Sequence, residues 1–297
     1  MANSFSDRLK AGGVVVADGA TGTNLQAVGL PPGASPEEWV FDQPDRILAL
    51  QRSFVEAGSD LILTCTFGAT RLRLKESRYA DRVAELNRRA VELAREAAGH
   101  RTLIGGSMGP LGALLKPFGP IEYAEAVAAY AEQAQALQDG GVDMLVLETH
   151  FALEEVQAAV EGAKQVSHLP LVVSFSYDRG VRTMMGVKPA QVAEKFKTSD
   201  VAAIGANCGT TLENMQKIMQ EYAAANSGLF LWAKPNAGLP SVDAATGRSV
   251  YSVSPEQMGE FAKRYMEVGV RIVGGCCGST PAHVRAIAQA VKSLPMP

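Results

Sequence analysis

Cysteine and histidine are scarce in this chain, with four of each in 297 residues and the cysteines at positions 65, 208, 276 and 277. That spacing is not the framework of a small secreted domain, and a chain this long buries enough apolar surface to fold without disulfides. Neither sign of charge dominates, since 28 Lys and Arg stand against 31 Asp and Glu. No broad basic face is thus offered to nucleic acid. Apolar runs stay well short of the ~18 residues that a membrane span needs. The opening MANSFSDRLKAGG lacks the apolar core of a signal peptide. These absences predict a cytoplasmic protein with reduced cysteines and no nucleic-acid or membrane partner. A dinucleotide-binding G-x-G-x-x-G turn is missing too. GGSMGPLG at 105–112 has the wrong glycine spacing and a proline where a helix would open, which argues against a doubly wound sheet.

What the chain does have is a recurring unit. Short runs rich in Val, Ile and Leu stand at 14–18, 60–66, 102–107, 143–149, 170–176, 201–207, 229–235 and 270–275. Continuous apolarity suits strands buried on both faces. Helix-period segments such as DRVAELNRRAVELAREAAG and EYAEAVAAYAEQAQALQDG lie between them. EAGSDLIL, DGGVDMLVL and EVGVRIVGG each read as a helix end, a glycine cap and a buried strand. Ser254, Pro255 and Gln257 spell a capping box with proline in the first turn, and Thr280 with Pro281 repeats the cap-then-proline pattern. Eight strands alternating with eight helices predict one α/β domain over residues 1–297, a (β/α)8 TIM barrel.

In such a barrel chemistry sits where strands end and βα loops begin. Those positions are Asp18, Cys65, Ser107, Glu148, Ser176, Asn207 with Cys208, Asn236, and Cys276 with Cys277. Cys208, Cys276 and Cys277 thus gather at one mouth. Three thiolates with a fourth position open describe a catalytic zinc, and zinc displaces the proton of a thiol that enters that position. The plain alternative is three buried core cysteines, or a structural zinc or redox pair. Adjacent cysteines meet disulfide geometry only with strain. Glu148 is either functional or a barrel-layer carboxylate paired with a buried cation. Asp18 precedes GATGT, whose small residues expose N–H groups able to hold a carboxylate, and is otherwise an ordinary turn aspartate. His150 reads as a solvated loop histidine, and Trp39 as a pocket wall or a loop anchor.

DGATGTNLQ (18–26), SPEEWVFDQPD (35–45), LTCTFGA (63–69), GANCG (205–209), PNAGLP (235–240) and GGCCGSTP (274–281) carry a resemblance over nearly the whole length. The chain resembles the homocysteine S-methyltransferase family, and within it the homocysteine-binding module of cobalamin-dependent methionine synthases. The resemblance implies Zn2+ on Cys208, Cys276 and Cys277. Asp18 and Glu148 would hold the homocysteine amino group, with the backbone near Gly19 and Ala20 at its carboxylate. Asn236 matches an asparagine suggested as a fourth ligand in the absence of substrate. Two departures stand out. Cys65 replaces a common asparagine, and Gly68 and Thr149 stand where betaine-dependent relatives carry aromatic residues, so a betaine cage is not evident.

The resemblance implies methyl transfer to the homocysteine thiol, giving methionine. The long synthases continue into folate, cobalamin and activation modules, and the D-x-H-x-x-G motif of corrinoid-binding domains is absent here. The expected donor is therefore external. A separate methyl-corrinoid or other methyl-donor protein, or methylcobalamin, is favoured over S-methylmethionine or betaine. The alternative of another class is a homocysteine-binding subunit that is inactive until a corrinoid protein docks.

Overall fold

The computed structural model describes residues 4–244 and 249–293. The chain ends assigned to the single domain, 1–3 and 294–297, lie outside them. Eight parallel strands are ordered β1 (Val15–Val16), β10 (Val270–Val273), β7 (Phe230–Lys234), β6 (Ala203–Asn207), β5 (Leu171–Phe175), β4 (Met144–His150), β3 (Leu103–Met108) and β2 (Leu61–Leu63). A parallel bridge from Ala17 to Leu61 brings the two ends of this sheet together. The ring is the expected single (β/α)8 TIM barrel. No helix among the described residues is long and apolar enough to cross a membrane.

The strands are buried on both faces, and alternate residues face different cores. Val15, Ala17, Leu61, Leu63, Met144, Val146, Val172, Trp232 and Ile272 pack together in one cluster, while Val16, Ile62, Leu145, Leu147, Val173, Ile204 and Val273 pack in another with helix residues. The first set fills the barrel and the second faces the helices, as a period of two demands. Phe5 and Leu9, from the helix Phe5–Lys10, join the inner set and close its lower end.

The glycine-capped repeats read from the sequence hold: Gly58, Gly141 and Gly269 all take positive φ, at 105°, 90° and 97°. Ser254 accepts from the Gln257 N–H and forms the expected capping box, and Thr280 caps Pro281–Lys292 in partnership with His283. The sequence reading passed over the short helices Phe5–Lys10, Gly22–Ala27 and Trp39–Asp42, and a small hairpin of β8 (Ser241–Val242) and β9 (Ser249–Val250) between β7 and β10. Each is too short to give a periodic signal.

Candidate metal and substrate site

One strand end delivers each part of the site. β6 ends at Asn207 and runs straight into Cys208, whose φ is 61°. A non-glycine residue in this left-handed region is strained, and Gly209 follows at φ 72°. Three and four residues after β10 ends, Cys276 and Cys277 lie on a turn pinned by two backbone bonds. Cys276 N–H donates to the Pro235 carbonyl at 2.7 Å and Ala237 N–H donates to the Cys277 carbonyl at 2.9 Å. Gly278 then takes φ 79°, and a Cβ there would sit 2.1 Å from the Tyr251 ring, so the ring lies directly on the backbone.

The three sulfurs lie within 4.8 Å of one another, and Cys208 Sγ and Cys277 Sγ are 3.8 Å apart. Thiolates at ~2.3 Å from a tetrahedral zinc would be about 3.8 Å apart. The donor set therefore fits zinc with a small contraction. Its protonation points the same way. A hydrogen bond with Cys276 lowers the Cys208 pKa, but one with Cys277 and burial outweigh it, and the thiol rises to about 12. Cys277 is held down by Cys208, yet the neighbouring Cys276 and burial raise it to about 12 as well. Crowded thiols keep their protons unless a cation compensates them. Asn236, nearby on the loop after β7, is buried with its Oδ1 unpartnered, an acceptor that suits a cation. Asn207 orients the cluster: its Nδ2 reaches Cys276 Sγ at 3.7 Å and donates to Thr149 Oγ1 at 2.7 Å. Thr149 is itself strained, at φ 65°.

The sulfurs lie at one end of a cavity of about 1030 Å³ that also exposes Ser107, Glu148 and Lys234. Strand phase explains the trio. Glu148 is in step with Met144 and Val146, Ser107 with Leu103, and Lys234 with Trp232, so all three point into the barrel above its apolar layers. Ser107 Oγ donates to Glu148 Oε1 at 2.5 Å. Burial pushes the Glu148 carboxyl above its ordinary range, although Lys234 and Ser107 work against that rise.

Asp18 is also buried, but both its oxygens are engaged. Lys234 Nζ donates to Oδ1 at 2.6 Å and Leu63 N–H donates to Oδ2 at 2.8 Å. Asp18 is not among the residues lining the cavity, whereas Gly19 and Ala20 are. The Ala20 N–H is already directed at Ser279, at 3.1 Å from Oγ and 3.3 Å from the carbonyl. Sequence reasoning missed Lys234 altogether. The signal was there, because a lysine two residues after a tryptophan in LFLWAKP shares its inward phase.

One expectation changes, that for His150, and the structure shows where Trp39 and Cys65 stand. His150 is not a solvated loop residue: it is fully buried at the end of β4, where burial lowers its pKa. Trp39 packs in the cluster of Leu25, Val40 and Leu74 and does not line the cavity, so it anchors its loop. Cys65 lines the cavity yet stands outside the thiol cluster, its Sγ 3.5 Å from the Pro36 carbonyl, and burial raises its pKa.

Residues 15–291 match the model of the homocysteine S-methyltransferase family. The chain belongs to that family. The methionine synthase of Mycobacterium tuberculosis (strain ATCC 25618 / H37Rv) is 31% identical over 96% of this chain, and that of Mycobacterium leprae (strain TN) is 31% identical over 94%. The chain spans about a quarter of the length of these relatives, 25% and 24%. Among solved structures, the metallated homocysteine methyltransferase MmuM of Escherichia coli superposes with a TM-score of 0.80. It is 23% identical and covers 95% of this chain and 98% of its own. At that identity the likeness speaks for the fold.

Proposed function

We propose that this family member transfers a methyl group from an external donor to the thiol of homocysteine, giving methionine. The observation that carries the reading is the meeting of Cys208, Cys276 and Cys277 with the inward carboxylate of Glu148 at one end of a single cavity. Cys208, Cys276 and Cys277 would hold Zn2+, which supplies a Lewis acid that favours the thiolate form of a bound thiol. Asn236 is the candidate fourth donor when no substrate is present.

Glu148 accepts the α-ammonium of the substrate. Asp18 fixes Lys234 at the same end of the barrel. The backbone at Gly19 meets the α-carboxylate. Held in this way, the substrate sulfur attacks the methyl carbon in line. The new C–S bond forms as the donor–methyl bond breaks, and its electron pair leaves with the donor. Binding and alignment supply most of the rate, and no covalent enzyme intermediate is needed.

A methyl-corrinoid, on a separate protein or as methylcobalamin, is the favoured donor, because the relatives at 31% identity are methionine synthases. The same relatives are about four times as long, which favours one second reading: a homocysteine-binding unit that turns over only when a corrinoid protein docks. One experiment tests both. Zinc-loaded protein and homocysteine are offered methylcobalamin, a methyl-corrinoid protein, S-methylmethionine and betaine in turn, and methionine is quantified. Turnover with methylcobalamin supports the first reading, and turnover only with the corrinoid protein supports the second. Absence of methionine with every donor overturns both.

A further inference from the structure

We propose that Lys234 is a specificity-determining residue that grips the α-carboxylate of the thiol substrate, so that Glu148 and Lys234 together clamp an amino-acid zwitterion. The inference rests on the homocysteine reading and adds to it a charged partner for the substrate anion.

Lys234 ends β7, and its phase sends the side chain up through the barrel past Trp232, whose ring centroid is 5.7 Å from Nζ. The residue is only 2% exposed, a rare situation for a lysine unless it is paired or functional. Asp18 Oδ1 takes one of its N–H groups. An ammonium has three donors and no acceptor, so two remain for a ligand in the cavity that Lys234 lines.

The charges at this end of the cavity then sort themselves. Asp18 and Lys234 neutralise each other as a pair, and Glu148 remains as the carboxylate without a cationic hydrogen-bond partner. An incoming α-ammonium is drawn to Glu148. Its α-carboxylate needs a donor within the reach of one Cα, and the Ala20 N–H is already committed to Ser279. Lys234 supplies donors of the right sign. Two other roles are open to a buried lysine here: it could merely neutralise Asp18, or it could compete with the substrate ammonium for the carboxylates.

Calorimetry on the zinc-loaded full chain separates these roles with three thiols. Homocysteine carries both groups, 4-mercaptobutyrate only the carboxylate, and 3-amino-1-propanethiol only the ammonium. Each offers the same thiol to the metal. The wild-type chain is expected to prefer homocysteine over 3-amino-1-propanethiol by about tenfold or more, as for a charge-assisted hydrogen bond. That ratio should fall to within about threefold in Lys234→Met. Removing one member of a buried ion pair can prevent folding, so Asp18→Asn/Lys234→Met, which removes both charges, is measured alongside. Loss of the preference in the double variant supports the clamp. Its retention there overturns the clamp in favour of simple neutralisation, and tighter homocysteine binding by Lys234→Met overturns it in favour of competition. Failure of the wild-type chain to bind any of the thiols would take down the homocysteine reading as well, a result distinct from an unchanged ratio.

Discussion

The three clustered sulfurs are not equivalent, and their surroundings say what each does. Cys276 touches the Asn207 amide, Cys277 lies against the turn that Tyr251 covers, and Cys208 is held in a left-handed conformation. Replacing any one with alanine leaves two thiolates, too few for a tight zinc site. Each of the three variants is therefore expected to lose most of its zinc and essentially all methyl transfer. Cys65→Ala should keep the metal, because Cys65 lies outside the cluster. Elemental analysis of the four purified variants checks this, and full zinc in Cys208→Ala would show that the ligand set is wrong. Glu148 makes a separate statement through pH. Its pKa is raised by burial, so the carboxylate takes up a proton above the usual range. An ammonium needs the ionised form, so KM for homocysteine should rise as pH falls, beginning above the 4.5 of an unperturbed glutamate. Glu148→Gln should have a higher and flatter KM over that window. Stability moves in the other direction. A raised folded pKa contributes stability when the group is protonated, and that contribution is lost as pH rises through the folded value. Metal-free Glu148→Gln should therefore gain on the wild type in thermal melts as pH rises, and a constant gap across the range would refute the assignment.

At the scale of elements, the turn after β10 stands on a glycine whose conformation and space both matter. Gly278→Ala places a Cβ in a backbone at φ 79° and against the Tyr251 ring. The backbone strain alone costs about 1–2 kcal/mol, and displacement of the ring adds to it. Gly180 separates the two contributions, since it has φ 70° with nothing near its absent Cβ. Gly278→Ala should lower the melting temperature clearly more than Gly180→Ala and should also loosen zinc, because the ring it moves covers the Cys277 turn. Equal effects of the two substitutions would mean that the contact with Tyr251 carries no weight. These elements also show what could be read in advance. Buried strands, glycine caps and the Ser254 box follow from local sequence, and the cysteine cluster follows from placing strand ends on a barrel. Lys234 was legible from strand phase but was hidden inside an apolar run. Its pairing with Asp18 was not legible, because 216 positions separate them and only barrel closure brings them together. His150 misled because a polar residue at a strand end reads as exposed, whereas Tyr130, with its ring 6.0 Å away, helps to bury it.

For the whole molecule, the site and the closure of the barrel share parts. The β1–β2 seam has a single ladder bridge. Side chains complete it: Asp18 Oδ2 accepts from Leu63 N–H at 2.8 Å, Asp60 Oδ2 accepts from Val16 N–H at 3.0 Å, and Lys292 Nζ donates to Asp60 Oδ1 at 2.9 Å. The thiol cluster joins the ends of β6 and β10 over β7, which runs between them in the sheet. A metal there would bind the folded chain and not the unfolded one, so it should raise stability by mass action. With free zinc at one hundred times its Kd the gain is about 2.7 kcal/mol, which for a domain of this size is roughly 4 °C in melting temperature. The apolar layers beneath are complete without it, from Trp232 and Val146 down to Phe5 and Leu9. Chelation should therefore lower the melting temperature by that amount while the far-UV circular dichroism at 25 °C stays unchanged. Hydrogen exchange adds the spatial part: amides at Cys276 and Cys208 should lose protection on chelation, whereas Leu63 and Val16 at the seam should not. Collapse of the dichroism on chelation would make the thiols a folding site, and the catalytic reading would lose its ground.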